Sequence, residues 1–506
     1  MHLAFWNNPI IVSAFRVRYR RGGFTNTLAP YLVVLAAIGA GLEYYQDKMR
    51  VPWAQIYYPI LMGLQFLGLG VMASTATAAS IRSEVVNRTL DFQRIAALSP
   101  RQILLGKLLG EPAVAYLMAM ASFPLAGWCV LAGGVSLEVM LLMHVNLATT
   151  LLLCGATGLM GRIEPPVGQA TGVLFSIWAL AMPIPLLFVS TFVGRVAPNS
   201  PWSIGVSLFG VYVPYLLLLP PVQLLLAYIC FRIMERQLIT PLNPMISKPL
   251  AYVLLAAVDL VSAALLFNLK PSAWDPDLGA LAIRRGVIFC LIHLFASLAL
   301  TFGMTAWRET LYSWVWRFRR RRPQLEDLLL GDRSENILAL ATFAVMGLIS
   351  LGLFVVLPTV WIENPPSLAE GGVSGLILSN LIAAATLTAV LLLAFGTIHQ
   401  WLLLITGRLG STFTFILAAM VTFIPLVGGL RKQAEWTMSF SPLMHYAHWL
   451  GLNSPRDPQP AFSYLILVGL YLVVFMVFWR LLRTRMRKLE AWVDFKLRTM
   501  GALPQR

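Results

Sequence analysis

The chain is 506 residues long, 58% hydrophobic and only 12% charged, with a mean hydropathy of +0.74. Soluble domains are about a quarter charged, so the composition excludes an ordinary water-soluble fold and makes lipid the natural surrounding of much of this surface. The formal net charge of +16 would suit nucleic acid in a soluble chain, but its distribution along this one belongs to membrane topology, and no nucleic-acid partner is expected.

Apolar runs of about 18 to 25 residues, enough to cross a bilayer as a helix, recur about twelve times. In order they are Leu28–Tyr45, Ile56–Ala79, Leu108–Leu131, Val139–Met160, Val167–Phe192, Val211–Met234, Leu250–Leu269, Val287–Ala306, Ile337–Val360, Val373–Ile398, Phe413–Leu430 and Tyr464–Trp479. The expected fold class is an all-α polytopic membrane protein. Pro183, Pro185, Pro220 and Pro221 fall inside runs, which membrane helices tolerate because neighbouring helices satisfy the freed backbone groups. The alternating segments of a membrane barrel are absent. Arginines precede the first run and no small-residue cleavage site follows it, so that run is expected to be retained as a span.

With the N-terminus placed inside and the spans alternating, about three quarters of the 38 lysines and arginines fall on the inner side. Both termini are therefore expected in the cytoplasm, and the membrane is expected to be the bacterial inner membrane. The tail bearing Arg480, Arg483, Arg485, Arg487 and Lys488 is expected to meet anionic lipid headgroups. Cys129, Cys154, Cys230 and Cys290 fall inside runs and form no CxxC pair. They read as packing residues, with no metal site or disulfide framework expected.

Polar interruptions fall at Ser80–Gly106, Gly194–Gly210, Trp307–Asn336 and Arg431–Phe462. In each half of the chain two spans precede a large basic segment. Three more lead to an outer loop with a Ser-Pro pair, Ser200-Pro201 or Ser441-Pro442, and one span follows. The expected organisation is two six-helix halves joined near Thr240–Lys248. Residues 1–246 hold an N-terminal elbow and the first polar segment, and residues 247–506 form a degenerate counterpart with a basic tail.

Ile81 to Gly110 is too polar to span and too apolar for a free loop. Val85, Val86 and Leu90 sit among Arg82, Glu84, Arg88 and Asp91, which predicts a short amphipathic helix against protein or membrane. Ser99-Pro100 then starts the next helix, since Ser caps and Pro suits the first turn. This segment resembles the coupling segment of the ABC-2 type transporter permeases, which carry a pattern like E-x4-T-L-(D/E), then S-P-x-R, then I-x-L-G-K, between the second and third spans. Glu84, Thr89, Leu90 and Asp91 match the first part. Ser99, Pro100, Arg101, Ile103, Leu105, Gly106 and Lys107 match the rest, with Arg101 one place early and Arg88 where the family usually has Gly. Asn8-Pro9-Ile10-Ile11 followed by Phe15 to Arg21 is similar to the family's amphipathic elbow helix. In the second half Arg308-Glu309-Thr310-Leu311 opens the basic segment, and Pro323 and Leu328 to Gly331 close it, as a degenerate counterpart.

The resemblance implies a permease subunit that moves substrate outward when separate ATP-binding subunits dimerise on ATP and push on the coupling segment. The chain itself is then no enzyme and binds no cofactor. Gly106-Lys107 completes no P-loop, because Leu108 follows and the upstream Gly is missing. ATP is expected on the partner subunit, with membrane lipid around the chain.

Other readings stand beside this one. The segment also reads as an ordinary basic cytoplasmic loop. Asp259, inside a predicted span, is either an intramembrane functional group or a buried hydrogen-bonded packing residue. Glu111 lies near the inner end of the third span. His144 and His293 read as isolated. An ion-gradient-driven secondary transporter would place several polar groups at mid-membrane. A membrane enzyme would need clustered Asp, Glu or His at one face, and Asp275, Asp277, Glu363 and Glu370 form no recognisable pair.

Overall fold

The computed structural model describes residues 8–20, 23–48, 51–87, 89, 98–160, 205–208, 211–240, 243–267, 278–305, 308–318, 324–332, 334–353, 373–406, 442–449 and 461–499, and positions 413, 414, 416, 417 and 420. The chain divides into two compact units, Met1–Val206 with Tyr212–Ile239 and Ser207–Val211 with Thr240–Arg506. Among the described residues nine helices are long and apolar enough to cross a membrane, which makes this a multi-pass α-helical membrane protein. The predicted run Val167–Phe192, and most of Phe413–Leu430, lie outside the described residues.

In the first unit the helices are α1 (Pro9–Arg20), α2 (Gly23–Tyr44), α3 (Trp53–Leu64), α4 (Gly70–Val86), α5 (Pro100–Gly110), α6 (Ala113–Ala121), α7 (Phe123–Leu131), α8 (Leu137–Leu159) and, after the short strands β1 (Gly205–Leu208) and β2 (Val211–Pro214), α9 (Tyr215–Ile239). A π-helical turn, Gln65–Leu69, joins α3 to α4, so one continuous helical path of 34 residues runs from Trp53 to Val86. Three expectations are corrected here. Ile81–Val86 is not a separate amphipathic helix but the end of α4, because its charged residues lie on a helix already nucleated and need only reach water at its tip. The third span begins at Ala113 rather than Leu108, because Pro112 lacks a backbone N–H and breaks the helix, so Leu108–Gly110 belong to α5. The predicted sixth span likewise starts at Tyr215, after a strand.

Without an aqueous driving force between helices, packing and interhelical hydrogen bonds hold a membrane bundle together. The first unit uses both. Buried Gln65 donates from Nε2 to Ser122 Oγ (2.8 Å), and buried Gln223 donates to Thr150 Oγ1 (2.9 Å) and accepts from Thr149. Asn146 Nδ2 donates to the Leu216 carbonyl (2.9 Å). Bonds of this kind contribute about 0.6 kcal/mol each on average. Outward faces remain apolar, as at Val33, 66% exposed, and Leu225, 56% exposed.

The second unit holds α10 (Lys248–Leu266), α11 (Leu278–Met304), α12 (Arg308–Phe318), α13 (Leu325–Leu329), α14 (Ile337–Leu351), α15 (Val373–Thr406), α16 (Pro442–Trp449) and α17 (Ala461–Thr499). Its core joins Leu255, Val287, Phe289, Leu340, Phe343, Leu391 and Leu467. At 39 residues, α17 is about 58 Å long, about twice the thickness of a bilayer's hydrocarbon. Its basic C-terminal portion therefore continues as helix beyond the span. There Leu482, Met486, Leu489 and Val493 pack on Leu311 and Val315 of α12. The Arg483 guanidinium lies 5.0 Å from the centre of the Trp479 ring, whose negative face attracts a cation.

Candidate functional site

Helix α5 is where the sequence motif becomes geometry. Ser99 is its N-cap and Pro100 its first residue. The Gln102 N–H donates to Ser99 Oγ (3.3 Å), and the Ser99 N–H donates to Gln102 Oε1 (2.8 Å). This reciprocal capping box satisfies two backbone donors otherwise orphaned at a helix start. Beyond the cap, α5 touches α1, α4, α8 and α9.

The contact with α1 is close. Asn8 Nδ2 donates to the Gln102 carbonyl (2.7 Å), while Asn8 Oδ1 accepts from the Ile10 N–H (3.0 Å) and starts α1. Gly106 and Gly110, one turn apart on α5, meet Ile10 and Ala14, one turn apart on α1. A Cβ at Gly106 would stand 2.6 Å from Ile10 Cβ, and one at Gly110 would stand 3.0 Å from Ala14 Cβ. Small residues spaced this way let two helices approach at backbone distance.

The contact with α4 is ionic. Lys107 is 1% exposed, and its ammonium stands 2.5 Å from Glu84 Oε2. Lys107 Nζ also donates to Ser80 Oγ (3.1 Å), which in turn donates to Glu111 Oε1 (2.8 Å). A buried ammonium costs several kcal/mol unless paired, so Glu84 is what permits Lys107 at this place. The contact with α9 is also ionic. Glu235, mostly buried, takes Arg101 Nε at 2.6 Å and Arg232 Nη1 at 2.5 Å. Arg101 is 60% exposed, so this pair fixes direction more than it adds stability.

The matched residues thus divide. Glu84, Ser99, Pro100, Arg101, Gly106 and Lys107 converge on α5 and its neighbours. Thr89 lies just past α4, its hydroxyl donating to the Glu84 carbonyl at 3.4 Å. Arg88, Leu90 and Asp91 lie outside the described residues. Sequence reasoning placed Asn8 in the elbow but missed its bond to α5, and it missed Ser80 and Glu235 as partners. For Glu235 the one local signal was Arg232 three residues earlier at the end of a span.

Glu235→Gln is expected to leave thermal unfolding in detergent within about 1 kcal/mol of wild type. It should raise hydrogen exchange across α5 relative to α8, read by mass spectrometry.

The proposed counterpart in the second unit is built differently. Arg308 and Glu309 open α12, with side chains outside the described residues, and Pro323 is outside them as well. Gly331 follows α13, its N–H donating to the Asp327 carbonyl at 3.1 Å. The organising group is Lys248, fully buried at the start of α10. Its Nζ donates to Leu328 O (3.0 Å), Glu335 O (2.9 Å) and Ser334 Oγ (2.5 Å), which uses all of an ammonium's donors. The Lys248 backbone N–H donates to Asp332 Oδ1 (3.0 Å), and Tyr252 Oη to Leu329 O (2.9 Å). The end of α13 and the segment after it are therefore wrapped around a cation supplied by α10. Lys248→Met leaves buried acceptors unmet and is expected to cost about 2 kcal/mol. Hydrogen exchange should rise first in residues 324–336.

Asp259 is fully buried and does not stand alone. His293 Nδ1 lies 2.8 Å from its Oδ1, which corrects the reading of His293 as isolated. Residues thirty-four apart in sequence carry no periodic signal of contact. His144 Nδ1 lies 2.7 Å from the Met140 carbonyl one turn back. Among the described residues no group of His, Cys, Asp and Glu is arranged to hold a metal ion. The four cysteines are free and buried.

Comparison with models of protein families, with curated proteins and with solved structures gives no match.

Proposed function

We propose that the chain is the membrane-spanning permease subunit of an ATP-driven exporter of the ABC-2 type, working with separate ATP-binding subunits. One observation supports this above the rest. Helix α5, which starts on a capping box and carries the family-like residues Ser99 to Lys107, is tied by two ion pairs and a close glycine contact to α4, α9 and α1. A helix held at so many points moves as a body, and a push on it reaches several membrane helices together. That is the mechanical requirement for transmitting motion from a water-soluble ATPase.

In this reading both termini and α5 face the cytoplasm, and the bacterial inner membrane holds about twelve spans. Residues 1–246 and 247–506 act as two related halves. ATP is bound by the partner and no cofactor by this chain. Arg88, where related permeases usually carry Gly, enlarges the surface offered to the partner.

The test is purification of the full-length tagged chain from its native membranes, followed by reconstitution and assay. An ATP-binding subunit should accompany it, and Pro100→Ala should reduce ATP-driven transport without dispersing the assembly. A chain that purifies without any ATP-hydrolysing partner, with transport unaffected by substitution at Glu84 or Pro100, overturns the reading.

A further inference from the structure

The pair Asp259 and His293 has a proton count that its surroundings make unusual. Asp259 is 0% and His293 2% exposed. His293 Nδ1 faces Asp259 Oδ1 at 2.8 Å, and Nε2 faces the Phe343 carbonyl oxygen at 3.1 Å. A neutral imidazole has one N–H and one bare nitrogen. Against an ionised Asp259 it would aim one lone pair at an acceptor. One added proton removes the conflict. As imidazolium with carboxylate, both ring N–H groups donate. As carboxylic acid with neutral imidazole, Asp259 donates to Nδ1, and Nε2–H donates to Phe343. Either arrangement is net neutral, whereas loss of the proton leaves a buried negative charge, which apolar surroundings penalise.

The same pocket provides for that loss. Ser297 Oγ, one turn along α11, lies 3.3 Å from Nε2, and its hydroxyl donates to the nitrogen once that proton has gone. Asp259 Oδ2 has no hydrogen-bond partner among the described residues. A cavity of about 10 Å³ adjoins the ring, lined by Cys290, Gly347 and Thr388 and otherwise mainly by apolar side chains, at the lower limit of volume for one water. Gly347 brings α14 onto the imidazole, since a Cβ there would stand 2.6 Å from Nε2. A change of charge on the ring is therefore felt by α10, α11 and α14 together. Among the described residues the other titratable groups near the pair are Cys290, in electrostatic contact with Asp259, and Tyr446, bonded to Thr388 at 2.8 Å. Tyr252 lies edge-on to the Phe343 ring. Arg285, two turns along α11, is turned to the Phe267 carbonyl.

We infer that Asp259 and His293 form an intramembrane proton-binding site, holding one transferable proton between them. The proton leaves from Nε2 to a water in the adjoining cavity, and Ser297 turns to donate to the bare nitrogen. Release belongs to a state in which α14 moves back at Gly347 and admits water. The site rests on this unit alone and does not depend on the exporter reading.

Infrared difference spectra of the purified chain in nanodiscs, titrated between about pH 4 and 9 without ATP or partner, test it. A titrating carboxyl or imidazole band is expected, absent in Asp259→Asn, which keeps an acceptor for Nδ1. His293→Gln should shift or abolish it. Ser297→Ala removes the donor that serves only the unloaded pair, so its midpoint should rise. Thermal melts verify that the variants fold. If no titrating band is lost in Asp259→Asn, the pair is a fixed interhelical hydrogen bond and the proposal is wrong. Should Asp259→Asn not fold, an unchanged midpoint in Ser297→Ala overturns it equally.

Discussion

Glu84→Gln is expected to destabilise the first unit by about 3 kcal/mol, because it leaves the Lys107 ammonium buried without its counter-ion. Lys107 cannot turn to water without moving α5, since it belongs to that helix and is 1% exposed. Its remaining acceptor, Ser80 Oγ, is neutral and supplies no counter-charge. Removing both charges tells a different story. A double variant, Glu84→Gln with Lys107→Met, has no uncompensated charge and should recover most of the lost stability. It should not recover coupling, because the bridge between α4 and α5 is still gone. Chemical denaturation in detergent reads the first expectation and ATP-driven transport the second. Equal stability of Glu84→Gln and wild type contradicts the burial argument, while transport restored in the double variant contradicts the role of the bridge.

Gly106→Val is expected to cost about 2 to 3 kcal/mol, the range for forcing atoms into a filled contact. The added Cβ would meet Ile10 Cβ at 2.6 Å, a distance that real side chains do not hold, so α1 must lift from α5. The bond from Asn8 to the Gln102 carbonyl should break with it. Gly110→Ala meets Ala14 Cβ at 3.0 Å, which a small slide relieves, and should cost less. Thermal unfolding ranks the two, and a cysteine pair placed at Asn8 and Gln102 should cross-link in wild-type background but poorly with Gly106→Val. The reverse ranking contradicts the close-contact account.

Much of this was legible in one dimension. Membrane helices announce themselves because every backbone polar group must be satisfied inside the segment, so apolar length alone marks them. The cap at Ser99-Pro100 is equally local, whereas the helix Pro9–Arg20 was expected from the family resemblance rather than from local periodicity. The errors were also local in origin. A hydropathy window averages across Glu111-Pro112 and hides a helix break. Charges at Arg82 and Glu84 resemble an interruption, although α4 continues to Val86.

What the sequence withheld was pairing at distance. Arg101 meets Glu235 across 134 positions, and Lys248 meets Ser334 across 86. No periodicity encodes such contacts, because they arise only when bundles of helices have chosen their neighbours. His293 is the clearest case. In the sequence it reads as isolated within a span, and only Asp259 at its Nδ1 gives it a charge to answer.

The central claim, that the polar segment leading into α5 is where an ATPase subunit acts, is tested most directly by a photo-cross-linker at Thr89. That residue is exposed just past α4. A second probe at Leu131, 89% exposed at the end of α7, serves as control in the same intact membranes. The account predicts an adduct with an ABC-type ATP-binding subunit at Thr89, its yield altered by ATP, and none at Leu131. Adducts to lipid alone at Thr89, or the same protein captured at both positions, would contradict it.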